Sequence, residues 1–246
     1  MIQENIKKAF ITGGAAGLGK FIAEHLIRKG WSVIVLDKIP PEQADQPYLE
    51  QLAAYYPVDL ASVEKAMLTI GKVIESHPEI SLWINNAAIK AFNDFVAFTP
   101  GKIEDILNVN FRFPVMASQY VLPVMQKRGT GRIIQVSSVS GFYGYSSGSL
   151  YCSTKSGLIR FTESVGRELA EQGSGVTMNV LCPDSFSNLD GTAGRHQDYI
   201  LKGIIKAIDR CLESSVSGKV FIIAPVGTRI RLFLFSLYRN LHDLFK

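Results

Sequence analysis

The sequence predicts an α/β fold: one domain whose doubly wound parallel β-sheet lies between two layers of helices, a three-layer α/β/α arrangement. Three observations predict it. Short β-branched or apolar runs alternate with longer stretches of helical periodicity along the chain. Several of the short runs are apolar on both faces, as strands covered by helices on both sides require. The 246 residues suffice for one large domain, and no linker divides them. Alternation of this kind implies right-handed βαβ crossovers.

Strands are expected at 8–12, 32–37, 54–59, 81–86, 131–138, 176–182 and 218–224. Helices are expected near 17–30, 62–77, 100–128, 150–172 and 195–214. The first helix carries Leu18, Ile22, Leu26 and Ile27 at helical spacing and stops at Gly30. The domain is expected over 1–226, with 227–246 as an apolar, basic tail belonging to it.

Composition excludes several function classes. A net charge of +4 without a basic cluster argues against a nucleic-acid partner. Cys152, Cys182 and Cys211 include no C-x-x-C pair, which favours free thiols and a cytoplasmic location. His25, His77, His196 and His242 are scattered without metal-ligand spacing, so no metal is expected. The opening MIQENIKKAFITGG has no apolar signal core, and no segment reaches the length of a membrane span.

The stretch ITGGAAGLGK (11–20) follows the first strand and opens the first helix. Gly13, Gly17 and Gly19 form G-x-x-x-G-x-G, which permits a tight turn and close approach of a pyrophosphate. The helix N-terminus adds free N–H groups and the positive end of its dipole. Asp37 ends the second strand, about 20 residues further on, where an acid accepts hydrogen bonds from both ribose hydroxyls. A 2′-phosphate there would be repelled, so Asp37 favours NAD. The neighbouring cation Lys38 softens the rejection, and NADP remains the alternative.

Further motifs follow in order: VD (58–59), NNAA (85–88), NVN (108–110), VSS (136–138) and YCSTK (151–155). With the glycine turn and Asp37, this series resembles the short-chain dehydrogenase/reductase (SDR) family of standard length, over about residues 7 to 224. The resemblance implies a Rossmann-type fold and an NAD(P)-dependent alcohol dehydrogenase or carbonyl reductase. It implies catalytic roles for Asn110, Ser138, Tyr151 and Lys155. Ser138 rather than Ser137 is the match, by its spacing to Tyr151. It also implies that Leu18 joins the glycines at the cofactor and that Asp59, with Leu60, meets the adenine ring. Asn85, Asn86 and Ala87 would line the cofactor at the fourth strand, and Pro183 after the sixth. Tyr151 and Lys155 would touch it as well. A homodimer or homotetramer built on the long helices is implied too.

Tyr151 and Lys155 lie one helical turn apart on one face. A phenol with its usual pKa near 10 needs about 4 kcal/mol to reach neutrality. An ammonium about 5 Å away, at an effective dielectric near 20, supplies roughly 3 kcal/mol. The positive nicotinamide ring would provide most of the remainder. On this reckoning Tyr151 acts as general base in alcohol oxidation and general acid in ketone reduction. Ser138 would position the substrate oxygen, and Asn110 would hold a water linking the lysine to solvent.

The chain departs from the family pattern after Pro183. Asp184 stands where glycine is usual and must avoid positive φ or tolerate strain. Asn188 stands in place of a threonine. LDGTAGRHQD (189–198) reads as a short mobile lid. Phe142, Tyr143 and Tyr145, with Phe92 and Phe95, suggest an apolar pocket for a bulky or apolar alcohol or ketone. The tail carries apolar residues at helical spacing and excess arginine. That suits packing against the domain or a sister subunit, with weak membrane association as the alternative. Two other functions compete: a non-catalytic dinucleotide-binding redox sensor, and a serine hydrolase using Ser146 of GYSSG (144–148).

Overall fold

Among the described residues seven strands run parallel in one sheet, in the order β3-β2-β1-β4-β5-β6-β7. They are β1 (Lys8–Thr12), β2 (Ser32–Asp37), β3 (Ala54–Pro57), β4 (Leu82–Asn85), β5 (Gly131–Val136), β6 (Val176–Pro183) and β7 (Val220–Ile223). The helices are α1 (Gly17–Arg28), α2 (Gln46–Leu49), α3 (Val63–Ser76), α4 (Pro100–Leu107), α5 (Phe113–Lys127), α6 (Ser149–Glu171) and α7 (Arg195–Glu213). This is a computed structural model, and it describes residues 7–185, 195–230 and 232. The three-layer, doubly wound Rossmann-type arrangement is the one the alternation of elements predicts.

Side-chain alternation along the strands divides the core in two. Phe10, Ile34, Leu36, Trp83, Ile133 and Met178 face the layer built by α3 and α5, with Leu169 of α6. Ala9, Ile11, Val33, Val35, Ile84 and Ile134 face α1 and α7. Strands apolar on both faces follow directly from helices on both sides. The chain reverses its strand order between β1 and β4, which pair directly, with Phe10 opposite Trp83. Their carboxyl ends therefore form the switch point where a crevice opens.

β1 and β2 end where expected and β6 runs one residue further, whereas β3, β4, β5 and β7 stop one or two residues short of their expected ends. β4 ends at Asn85 and β5 at Val136, so Asn86, Ser137 and Ser138 leave the sheet at its carboxyl edge. The helix expected over 100–128 is broken by a π-helical turn, Asn108–Arg112. Pro114 explains the break: without an N–H it cannot donate to the Asn110 carbonyl, so the α-helical ladder cannot run through. The wider turn brings Asn108, Val109 and Asn110 all to the buried side. The short helix α2 was not expected. Four residues are too few to show periodicity; Asp45 caps it, accepting from the Tyr48 N–H at 3.4 Å.

Cys152, Cys182 and Cys211 are buried and unpaired. Among the described residues no helix is long and apolar enough to cross a membrane. Of the tail, 227–230 and 232 are helical, and Leu232 packs with Val139 and Ala224. The rest of the apolar stripe lies outside the described residues.

Helix α6 crosses the sheet closely because Gly166 has no side chain. A Cβ there would sit 2.2 Å from the Gly218 backbone. Gly166→Ala therefore forces α6 away from the turn before β7. The expected cost is about 1–3 kcal/mol in urea unfolding, and an unchanged midpoint would show that this contact carries no stability.

Candidate active site

A cleft of about 1270 Å³ opens at the carboxyl ends of the strands. That exceeds the roughly 300–1,000 Å³ of an ordinary small-ligand site, and leaves room for a dinucleotide and a substrate together. Gly13, Gly17, Leu18, Gly19, Asp37, Asp59, Leu60, Asn86, Ala87, Ser138, Tyr151, Lys155 and Pro183 all line it. Asn85 and Asn110 do not.

At one end the first strand turns into α1. Gly13 sits at φ +65°, and a Cβ on it would lie 2.8 Å from the Ala87 Cα. Gly17, at φ +54°, has nothing within 4 Å of its missing Cβ and so leaves open space toward the cleft. Ala16 at the N-cap of α1 offers no side-chain hydrogen bond, so the first-turn N–H groups lack a side-chain partner. An uncapped helix N-terminus bordering an open glycine turn fits the pyrophosphate of a dinucleotide. Tyr48, which sequence reasoning missed, buttresses this turn by donating to the Gly14 carbonyl at 2.8 Å.

Asp37 is held on both carboxylate oxygens. Oδ2 accepts from the Ala15 N–H at 2.9 Å and Oδ1 from the Ile39 N–H at 3.1 Å. The acid is thus fixed at the cleft wall, with lone pairs left for hydroxyl donors. Lys38 lines the cleft beside it. Tyr55 donates to the Ile39 carbonyl at 2.6 Å, and burial, then the Asp37 charge, push its phenol up to about 12.

At the other end α6 presents Tyr151 and Lys155. The Lys155 Nζ lies 5.7 Å from the Tyr151 ring centre and donates to the Val136 carbonyl at 2.9 Å. Lys155 is 2% exposed, and burial brings its pKa down to about 8. Burial pushes the Tyr151 phenol up to about 12, while a hydrogen bond with Ser138 pulls the other way. This corrects the charge-only reckoning from sequence. That sum counted the lysine's attraction but omitted the desolvation of a phenolate in a closed pocket. Ser138 accepts from the Ser140 N–H at 3.1 Å and donates to the Pro183 carbonyl at 3.5 Å. It therefore caps the short helical turn Val139–Gly141 that follows β5 while lining the cleft. Ser137 donates to the Lys155 carbonyl at 2.8 Å and fastens α6 to β5.

The two asparagines outside the lining have other partners. Asn85 is the last residue of β4, and period-two alternation turns it toward α5. It accepts from Trp83 Nε1 at 2.8 Å and donates to Ser118 Oγ at 3.3 Å. Asn86, beyond the strand, is the one that reaches the cleft; its Nδ2 donates to the Thr12 and Gly13 carbonyls at 3.0 and 2.9 Å. Asn110 is fully buried in the π-helical turn. Its Oδ1 accepts from the Ile89 N–H at 2.7 Å and its Nδ2 donates to the Ile89 carbonyl at 3.0 Å. Its amide thus clamps the segment after β4.

Asp184 lines the cleft and avoids the strain its position raised. Among the described residues Ser147 alone is a non-glycine at positive φ. Asp184 Oδ2 accepts from Thr228 Oγ1 at 3.1 Å, tying the end of β6 to the start of the tail. Asn188, and 189–194 of the lid, lie outside the described residues. Ser146 is exposed, well past the end of β5 and outside the cleft lining. A nucleophile elbow needs a strained turn directly between strand and helix, so the hydrolase geometry is not met. Lys90 and Lys102 also line the cleft. Lys90 follows NNAA by two residues, a signal readable in the sequence; no sequence spacing points to Lys102.

The family model described as short chain dehydrogenase matches residues 7–197. An uncharacterised oxidoreductase of Bacillus subtilis, YxjF, is 31% identical over 210 residues, covering 80% of this chain and 81% of its own. The 3-oxoacyl-acyl-carrier-protein reductase FabG of Vibrio harveyi is 32% identical over 193 residues, 78% of each chain. Among solved structures, a short-chain dehydrogenase from Streptomyces avermitilis superposes with a TM-score of 0.80 at 20% identity, over 96% of each chain. ElxO with NADP bound gives 0.74 at 23% identity, over 89% of this chain and 97% of its own. At those identities the structures show a common fold.

The depressed Lys155 pKa makes stability depend on pH. Between about 8 and its usual 10.5 the unfolded lysine holds a proton that the folded one has lost. Stability from this group therefore rises with pH across that window, and below it the buried charge costs about 3 kcal/mol. Lys155→Met removes that rise; urea unfolding from pH 7 to 10 measures it, and parallel curves for both proteins would refute the assignment.

Proposed function

The chain belongs to the short-chain dehydrogenase family and is an oxidoreductase of it; from that premise we propose that it reduces a ketone to a secondary alcohol with a preference for NADH. The carrying observation is the convergence of Ser138, Tyr151 and Lys155 on the cleft that also holds the glycine turn and Asp37. A nicotinamide dinucleotide bound along that cleft supplies the hydride.

The remaining work falls to side chains of this protein. The Ser138 hydroxyl turns its proton from the Pro183 carbonyl, 3.5 Å away, to the ketone oxygen and holds that oxygen against the Tyr151 phenol. As the carbonyl carbon gains hydride, negative charge grows on that oxygen, and Tyr151 delivers its proton there. The Lys155 ammonium stabilises the phenolate left behind. Asn110 serves as a positioning residue, through Ile89 on one side and Thr154 Oγ1 of α6, at 3.4 Å, on the other.

The phenol's protonation favours this direction. With a pKa near 12, Tyr151 carries its proton at neutral pH and is ready as an acid. Acting as a base instead requires about 7 kcal/mol of help to bring the phenol to neutrality. Relatives named as reductases of 3-oxoacyl groups, which are ketones, support the same direction. NADH preference rests on Asp37. A phosphate about 4 Å from a carboxylate is repelled by roughly 4 kcal/mol per charge at an effective dielectric of 20.

Two outcomes follow, read as nicotinamide absorbance against a panel of ketones. Tyr151→Phe lowers kcat by about 10²–10⁴-fold while NADH binding, followed by fluorescence, persists; full turnover without the hydroxyl would sink the mechanism. Asp37→Asn shifts the ratio of kcat/KM for NADH over NADPH toward NADPH by about tenfold or more. An unmoved ratio would remove Asp37 as the selecting group.

A further inference from the structure

We infer that Phe92, Tyr143 and Tyr145 form an aromatic wall beside Tyr151 that selects a ketone bearing a flat aromatic ring over a straight-chain one. The inference rests on the ketone-reduction reading and names its substrate class. All three side chains line the cleft. They come from two connections, one after β4 and one between β5 and α6. The Phe92 ring stands edge-on to Tyr151, with centres 5.4 Å apart at 63°. It lies 6.2 Å from Tyr145 at 33°, and Tyr145 lies 6.0 Å from Tyr143 at 53°. The rings thus form a tilted series beginning at the reactive phenol.

These rings are held in place although they face solvent. Phe92 is 54% exposed, Tyr143 36% and Tyr145 38%. The Tyr145 ring lies flat on Gly148, where a Cβ would come within 2.5 Å of it. Its hydroxyl is 3.4 Å from Ser140 Oγ. Ser147 adopts φ +63°, in the left-handed region, and its carbonyl accepts from the Asn93 N–H at 2.9 Å. A strained residue therefore ties the Phe92 connection to the Tyr145 turn. Strain of this sort persists where the surroundings enforce it, and it fixes the spacing between the two connections. Phe95 and Phe142 are not part of the wall. Phe95 lies outside the cleft lining, and Phe142 packs against Val139 and Ile159.

Exposed rings converging on a reactive group lose water when a ligand enters. An alkyl chain gains only area from that contact and loses rotamer freedom. A planar ring gains the same area, and edge-to-face and offset contacts at centre distances of about 4.5–7 Å besides. The observed separations of 5.4 to 6.2 Å show that this wall already has that geometry within itself. A further ring extends the series.

The test compares an aryl ketone with a straight-chain ketone of equal carbon count, under NADH, for the full chain and for Phe92→Leu and Tyr145→Leu. Leucine keeps apolar bulk and deletes the ring. The unaltered protein should favour the aryl ketone by about tenfold in kcat/KM, and each substitution should draw that ratio toward one. A ratio at or below one in the unaltered protein overturns the inference alone, as does a ratio that either leucine variant retains. Absence of turnover with both ketones and with a wider carbonyl panel overturns the reduction reading, and this inference with it.

Discussion

At the carboxyl ends of β1 and β4 the two strands part, and a small set of contacts holds them at fixed width. The Thr12 hydroxyl accepts from the Asn86 and Ala87 N–H groups at 3.0 and 3.2 Å. The Asn86 amide returns two hydrogen bonds to the carbonyls of Thr12 and Gly13. Gly13 completes the seam because Ala87 occupies the place of its Cβ. The cleft exists because these strands are sheet neighbours whose following crossovers go to opposite sides. The glycine turn lies before α1, Tyr151 and Lys155 lie on α6, and this seam runs between them.

Burial governs the titration of Tyr151 and Lys155 more than charge does. Tyr151 and Lys155 are both almost fully enclosed, so each is pushed toward its neutral form. The lysine is only partly neutralised, because at about 8 its pKa still leaves it charged at neutral pH. The phenol keeps its proton. A buried acid paired with a buried cation stores a proton that is worth giving up only when charge appears on a nearby oxygen. This suits the proton donation proposed for Tyr151.

The surrounding loops add what the sheet does not supply. The π-helical turn carries Asn110 inward to clamp Ile89, so the connection after β4 leaves in a set direction. That same connection carries Phe92 to the edge of Tyr151. On the far side Asp184 and Thr228 bind the end of β6 to the first turn of the tail, while Leu232 packs on Val139, next to Ser138. The cleft around Ser138 and Tyr151 is therefore supported by elements distant in sequence.

Local signals in the chain determined the elements and their order: period-two and helical spacing, glycines between strand and helix, an acid at a strand end, and a tyrosine one helical turn before a lysine. They are readable because they depend on backbone geometry that repeats within a few residues. The family resemblance added Asn110 and Ser138 to the expected site. Which asparagine of Asn85 and Asn86 reaches the cleft was decided by where β4 ends against its neighbours. The break before α5 came from a proline whose effect depends on helix register. The phenol's pKa, the clamp made by Asn110, the short helix α2 and the aromatic wall arise from desolvation and from contacts between residues far apart in the chain. Only the folded structure brings those groups together, and no spacing along the sequence encodes how much water it removes from them.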